Sequence, residues 1–425
     1  MMPRGDLSEP TSGQRAILVG IQTGKEDMAY SMKELEQLAE AAGLEAVGVM
    51  TQKAERVNPA YYMGKGKLEE LKAACISLEP DVVILNNELS GRQIRNLEEE
   101  TGTKVIDRTI LILDIFASRA VSREGKLQVE LAQLQYRMPR LVGFGKSLSG
   151  QGAGIGTRGP GEKKLETDRR HIAKKMDELY KEIQAVRAAR SVQRARREKT
   201  GIPVVAIAGY TNAGKSTLMN AILKLAEKDD KSVFAKDMLF ATLDTSQRSI
   251  RLDSNEEFLL IDTVGFVSNL PHTLISAFKS TLEEILYADL ILHVVDASFP
   301  DYDLNREVAD AVLKEIGADS IRKIYVYNKI DLLENWQDVL PGGRDCMYIS
   351  AKNGLHLEQL IRVIQKELFS DRIIAELMIP YCRGDVSSYL CEKCKVLKMD
   401  HRENGTYFEA ELSKADLGRL REFQI

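Results

Sequence analysis

Residues 202–216 read IPVVAIAGYTNAGKS, an unbroken apolar run that ends in a loop bounded by glycines. The run Ile202–Gly209 suits a strand covered on both faces. Gly209, Tyr210, Thr211, Asn212, Ala213, Gly214, Lys215 and Ser216 then fit G-x-x-x-x-G-K-[S/T], and a helical run starts at Thr217 and continues to Leu225. Strand, loop and helix in that order make an anion cradle. Backbone N–H groups of the loop and the helix N-terminus face the same oxygens. Lys215 is placed to reach β- and γ-phosphates, and the Ser216 hydroxyl to ligate Mg²⁺. An incidental Gly-Lys-Ser in a turn is the competing reading, and the strand-loop-helix setting argues against it.

Further along, Asp262, Thr263, Val264 and Gly265 end the strand-like run FLLID. An acidic group there can hold the water shell of a metal, and Gly265 lets a backbone N–H approach a γ-phosphate. Asn328, Lys329, Ile330 and Asp331 end IYVYN. The Asp331 carboxylate can accept from guanine N1–H and N2–H₂, donors that adenine does not offer in that arrangement. Ser350, Ala351 and Lys352 close the next strand, where a backbone N–H can meet guanine O6. Each tetrapeptide alone is weak. Four in order, each at the C-terminal end of a strand, make a GTP site with Mg²⁺ the expected reading. The residue after Gly265 is Phe266, where many GTPases carry a water-orienting glutamine. A phenyl ring can neither donate nor accept there. Hydrolysis is therefore expected to be slow until a partner or another residue completes the site.

Outward from this core, the N-terminal stretch alternates strand-like and helical runs. Ala16–Ile21, Glu45–Met50, Asp81–Leu85 and Lys104–Ile106 read as strands. Met28–Ala42, Leu68–Leu78, Ile94–Glu100 and Thr109–Ala120 read as helices. That rhythm predicts a small parallel sheet covered by helices. Leu127, Leu131, Leu134, Met138 and Leu141 then recur at heptad spacing, as do Ile172, Met176, Leu179, Ile183 and Val186. Two such stripes can bury each other as an antiparallel helical hairpin. Its tip, Gly143–Gly161, holds eight glycines in nineteen residues. Near the C-terminus, Val396–Asp400 and Thr406–Leu412 flank Glu403-Asn404-Gly405, a β-hairpin signal.

The chain has 425 residues and a net charge of −4, with 44% hydrophobic and 29% charged residues. That length implies two to four domains. Charge is segregated: residues 158–199 carry fourteen Lys or Arg against seven Asp or Glu. A basic hairpin with a glycine-rich tip fits contact with structured RNA, or else a solvated coiled-coil face. The N-terminus has no apolar h-region, and no run approaches the roughly 18 apolar residues of a membrane span. Five sparse cysteines fit reduced thiols rather than a disulfide framework. A cytoplasmic chain without a membrane span is expected.

With these motifs in place, the sequence resembles the translation-factor-related class of P-loop GTPases, and within it the HflX family of ribosome-associated GTPases. The likeness is carried by NPAYYMGKGKLEEL (58–71), ELSGRQIRNLE (88–98), VIDRTILILDIFASRA (105–120) and GKLQVELAQLQYRMPRL (125–141). It is carried further by GIGTRGPGEKKLETDRR (154–170) and LFATLDTSQR (239–248), and it spans roughly residues 15–370. The resemblance implies that Thr242 is the switch threonine that ligates Mg²⁺ with Ser216 and senses the γ-phosphate. The residues alone do not choose Thr242 over Thr245. It also implies engagement of the large ribosomal subunit and its RNA through the basic hairpin and the Gly143–Gly161 loop, on stalled or stressed ribosomes or in ribosome biogenesis. The free chain is expected to be monomeric. A nucleotide-sensing scaffold for a non-ribosomal partner is the alternative.

Two features stand apart. Gly64-Lys65-Gly66-Lys67 precedes a helix, and although ATP binding is proposed for this region in the family, no Walker pattern accompanies it; a helix-start turn is the preferred reading. Cys391 and Cys394, with Cys382 and His401 nearby, have zinc-like spacing but lack paired knuckles, and free thiols are preferred. The expected architecture is α/β: an N-terminal α/β domain at 15–121 after a disordered 1–14, and a helical hairpin at 122–200. A P-loop GTPase domain follows at 201–370 and a small α+β domain at 371–425. Catalysis is assigned to Lys215, Thr242 and Gly265.

Overall fold

The computed structural model describes residues 13–24, 27–143, 160–198, 201–226, 246–252, 256–263, 265–266, 283–299, 302–335, 342–370, 372–412 and 414–425. They form two compact units, one running to Ser191 and the other starting at Val192.

In the first unit, β1 (Gln14–Gln22), α1 (Met28–Ala41), β2 (Leu44–Lys53), α2 (Lys65–Leu78), β3 (Val82–Leu85), α3 (Gly91–Thr101), β4 (Lys104–Asp107) and α4 (Arg108–Arg119) alternate. The strands are all parallel, in the order β2-β1-β3-β4, as the βα rhythm requires. Polar residues fix the helix starts. Asp27 accepts from the N–H groups of Ala29 and Tyr30, and Ser90 with Gln93 forms a capping box on α3. Gly64 is the N-cap of α2, and its N–H donates to Gln52 Oε1 at 3.0 Å. The Gly64–Lys67 segment is thus a helix-start turn.

α5 (Arg123–Arg137) and α6 (Pro160–Glu198) carry the two heptad stripes. Arg123 pairs with Glu182 at 3.0 Å and Lys175 with Glu130 at 3.1 Å. Seven residues forward on α5 therefore correspond to seven back on α6, so the pair is antiparallel. Leu131, Leu179 and Ile183 form its buried seam, flanked by Leu127, Leu134 and Met176. The first stripe is shorter than its spacing implies. α5 stops at Arg137, and Met138 and Leu141 fall in a 3₁₀ turn, Met138–Gly143. Pro139 has no N–H with which to continue an α-helix. Residues 144–159 of the expected tip loop lie outside the described residues. The turn is held to the first sheet: Tyr136 donates to the buried Asp107 carboxylate, and Arg140 stacks 3.4 Å over the Tyr136 ring while donating to Leu89 O.

The second unit contains a six-stranded sheet in the order β10-β9-β8-β5-β7-β6. Its members are β5 (Val204–Gly209), β6 (Ser246–Arg251), β7 (Glu257–Asp262), β8 (Leu290–Asp296), β9 (Lys323–Asn328) and β10 (Cys346–Tyr348). Continuous apolarity in β5 and β8 follows from helices on both faces. Val205, Ile207, Leu292 and Val294 enter one core with α7 (Lys215–Ala226) and α9 (Leu357–Phe369). Val204, Ala206, Ala208 and Ile291 enter the other with α8 (Tyr302–Glu315). The sheet is parallel except at one edge, where β6 runs antiparallel to β7. Ile250 is the one apolar residue of SQRSIR and is fully buried, so that strand carries too few apolar residues to be read from sequence.

α8 is tied down by Asp310, which accepts from Lys323 Nζ and Tyr325 Oη, both at 3.1 Å, with His293 Nδ1 3.5 Å away. Burial opposes the charge on Asp310, but His293 and Lys323 outweigh it and hold the carboxyl down to about 2. A carboxyl depressed on folding stabilises above its unfolded pKa of about 4 and loses that contribution as pH falls through the folded value. The stability gap between the parent and Asp310→Asn, measured by urea unfolding, is expected to be open at pH 7. It should close between about pH 4 and pH 2. A gap independent of pH would contradict this ion-pair account.

At the C-terminus, β11 (Ile373–Ile379), β12 (Lys395–Arg402) and β13 (Gly405–Leu412) form an antiparallel sheet in the order β11-β13-β12, with α10 (Gly384–Lys393) and α11 (Lys414–Arg419). The β12–β13 hairpin falls where the Glu403-Asn404-Gly405 signal puts it. β11 is an additional strand, completed by β13 between the two others. Cys394 is buried beside Leu390 and Phe408, with its thiol pushed up to about 11 by burial, whereas Cys382 and Cys391 are exposed. Among the described residues, no group of three or more His, Cys, Asp or Glu is placed to hold a metal ion. Nor is any described helix long and apolar enough to cross a membrane.

Candidate nucleotide site

The C-terminal ends of β5, β7, β9 and β10 bring the four motifs together. β5 ends at Gly209, whose φ of +145° favours glycine, and a Cβ there would lie 2.2 Å from Val294 O. Gly214 has φ +89°, and a Cβ on it would strike Asn328 Nδ2 at 2.2 Å. Between them Asn212 takes the left-handed conformation at φ 61°, a region its short amide side chain tolerates. α7 begins at Lys215, with Leu218 N–H bonded to Gly214 O at 2.8 Å. Ala213 is buried, and Thr217 is half-buried on the first turn.

Lys215 is buried, and its Nζ donates to Tyr210 O at 2.8 Å. Burial lowers its pKa to about 8; nearby Lys329 acts in the same direction and Asp262 against it. The Ser216 hydroxyl donates to Asp262 Oδ2 at 2.7 Å. Two hard oxygen donors therefore converge at the head of α7, a set that suits Mg²⁺ shared with phosphate oxygens. Thr263 is fully buried and donates to Ile207 O at 2.7 Å, which fixes the strand end rather than reaching a ligand. Gly265 lies against the phosphate loop, while Val264 and Thr242 fall outside the described residues.

Asn328 is 2% exposed and braces three motifs at once. Its Nδ2 donates to Ala213 O at 2.9 Å, and its Oδ1 accepts from Ala351 N–H at 2.9 Å. The Ala351 amide is thus engaged by Asn328. Lys329 is left-handed at φ 65° and pairs with Asp296 at 2.9 Å. Ile330 is buried and anchors the turn that presents the half-buried Asp331. Ser350 is buried and caps Asn353 N–H at 3.2 Å; Lys352 is exposed.

Residues 204–329 match a family model described as 50S ribosome-binding GTPase. Residues 29–117 and 119–197 match models described as GTP-binding GTPase N-terminal and GTP-binding GTPase Middle Region. The chain is 50% identical to a protein named GTPase HflX from Caldanaerobacter subterraneus subsp. tengcongensis over 414 residues, 97% of this chain and 94% of that one. The chain belongs to the HflX family of GTPases. It is also 39% identical to GTPase HflX of Escherichia coli (strain K12) over 93% of this chain and 92% of that one. Among solved structures it is similar to a GTP-binding protein from the hyperthermophilic archaeon Sulfolobus solfataricus in complex with GDP. That likeness has TM-score 0.45 and 24% identity, over 84% of this chain and 99% of that one. As an HflX-family GTPase the chain binds and hydrolyses GTP.

In this family member the residue after Gly265 belongs to the core. Phe266 is 2% exposed and packs in the core with Tyr210, Ile261 and Ile285. Its backbone bridges the phosphate loop: Phe266 N–H donates to Gly209 O at 3.1 Å, and Thr211 N–H to Phe266 O at 2.7 Å. Sequence reasoning missed Asp296, which holds Lys329 and accepts from both Ser298 N–H and Ser298 Oγ. Its position at the end of a buried strand, followed by Ala-Ser, was the available signal.

Proposed function

We propose that the chain loads GTP with Mg²⁺ at this site and, in its GTP state, associates with the large ribosomal subunit in the cytoplasm, acting on stalled or stressed ribosomes. The support is the match of residues 204–329 to a model described as 50S ribosome-binding GTPase. The local excess of fourteen basic over seven acidic residues at 158–199 supports the RNA contact. We assign Lys215 to the β- and γ-phosphates, and Ser216 with Thr242 to direct ligation of Mg²⁺. Asp262 holds the metal's water shell, the Gly265 amide meets the γ-phosphate and Asp331 reads the base. The metal supplies charge neutralisation between the β- and γ-phosphates; loop, ammonium and helix N-terminus do the positioning. GTP orders the segments around Thr242 and Gly265, and hydrolysis releases them.

The test is co-sedimentation of the full chain with purified 50S and 30S subunits, in a non-hydrolysable GTP analogue or in GDP. Association with 50S in the analogue, weakened in GDP and steeply reduced by added salt, is expected. Equal binding in both nucleotides, or none, would remove the ribosome from the proposal and favour a non-ribosomal scaffold.

A further inference from the structure

A strand that carries none of the four motifs holds one residue of the turn 328–331. β8 ends at Asp296, which lies opposite Asn328 in the register with β9. The Ala297 N–H donates to Asn328 O at 2.8 Å. The two oxygens of the Asp296 carboxylate have separate partners. Oδ1 accepts from Ser298 N–H at 3.0 Å and from Ser298 Oγ at 2.6 Å, and Oδ2 meets Lys329 Nζ at 2.9 Å. The Lys329 and Asp296 side chains are only 20% and 21% exposed, so solvent screens this pair less than a surface ion pair. Lys329 also stands in an unusual backbone state. Its φ of 65° is one that a residue with a side chain keeps only where its surroundings impose it, and such residues cluster at ligand clamps. Its ammonium is near enough to Lys215 to join burial in lowering the pKa of that lysine. Among the described residues, Asp296 is the carboxylate that pairs with it.

We propose that Asp296 is a positioning residue for the guanine nucleotide: acting through Lys329, its charge holds that side chain, and the turn around it, ready for the nucleotide before it arrives. Less is then left to order on binding, and the saving appears as affinity. Asp296 itself touches no nucleotide. Its effect is carried by Lys329, so the two residues act as one unit in a mutational cycle. GDP and GTP share the guanosine and the first two phosphates, so the effect falls on both alike. Uniform binding of that kind leaves the chemical step at Pγ as it was. The inference rests on nucleotide binding by the chain and requires no ribosome. Base preference, the reading assigned to Asp331, is scored separately in Asp331→Asn, so failure of one leaves the other standing.

Competition of GDP and of GTP against a fluorescent GDP, with the full chain and Mg²⁺, tests it in Asp296→Ala, Asp296→Asn, Lys329→Ala and the double variant Asp296→Ala with Lys329→Ala. Single-turnover hydrolysis at saturating GTP is measured alongside. Asp296→Ala should weaken GDP and GTP alike by about fivefold to a hundredfold. The loss should fall on affinity, with the saturated rate within about threefold of the parent. Asp296→Asn keeps an acceptor for Ser298 but loses the charge, and should bind as weakly as Asp296→Ala. The double variant should bind within about threefold of Lys329→Ala alone. Parent-like affinity in Asp296→Ala would overturn the proposal. So would parent-like affinity in Asp296→Asn, since the Ser298 turn and not the charge would then matter. A loss from Asp296→Ala as large in the Lys329→Ala background as in the parent would overturn it too, because it marks a structural role independent of the lysine.

Discussion

Lys215→Ala is expected to abolish hydrolysis and to weaken GTP binding by about thirtyfold to several thousandfold, while leaving the protein folded. In the parent the ammonium is buried with Tyr210 O as its hydrogen-bond partner. Its depressed pKa of about 8 shows that the site without nucleotide disfavours the charge. A triphosphate reverses that balance, and losing one partner of a desolvated charge pair costs about 2–5 kcal/mol in binding. Stability without nucleotide should not fall, because the substitution removes a buried charge that the empty site does not stabilise. The same reasoning gives a pH dependence with a definite sign. Triphosphate raises the lysine pKa, so above pH 8 binding must be accompanied by proton uptake. GTP affinity in the parent should therefore decline from pH 8 upward, by up to about tenfold per pH unit. Lys215→Ala should lack that decline. Isothermal titration with GTP from pH 7 to pH 9.5 reads both effects, and a parent affinity that is flat across this range would contradict the account.

The second large effect concerns the base. Asp331→Asn should cost GTP affinity about a hundredfold to a thousandfold and should raise affinity for xanthosine triphosphate. Guanine offers two donors, N1–H and N2–H₂, to one carboxylate. Xanthine keeps N1–H but replaces the amino group by a carbonyl, which suits an amide that accepts once and donates once. The turn that carries Asp331 is held by the buried Ile330 and by Lys329 with its pair Asp296, so the substitution should not disturb the backbone. Competition of each triphosphate against a fluorescent GDP decides the matter. A variant that still prefers GTP over the xanthosine form would take base recognition away from Asp331.

These two residues could be named from sequence because each belongs to a contiguous motif. A phosphate loop is made by neighbouring backbone N–H groups, and a base-reading turn by four successive residues, so the chemistry is local and its order along the chain is visible. The βα rhythm of the first sheet and the apolar runs of β5, β7, β8 and β9 were legible for the same reason: burial on both faces leaves an uninterrupted apolar record. β6 and β11 left a weaker one. β6 is an edge strand with Ile250 as its one apolar residue, and β11 reads IIAELMI, with two exposed isoleucines ahead of its inward-facing positions.

What the chain could not reveal before folding were the contacts between motifs. Asn328 reads as a base-binding residue, yet both ends of its amide are committed to Ala213 and Ala351, 115 and 23 positions away. Phe266 reads as a missing catalytic group, and the sheet turns it inward as core. Thr211 reads as one residue of the phosphate loop, and only folding brings its Cγ2 against Gly265, 54 residues later. Sequence alone determined which loop binds phosphate and which family owns it, because short-range spacing encodes those. Tertiary structure decided which side chains brace the loop and which are free to act, because a hydrogen-bonding group's role depends on partners that only packing brings within 3 Å.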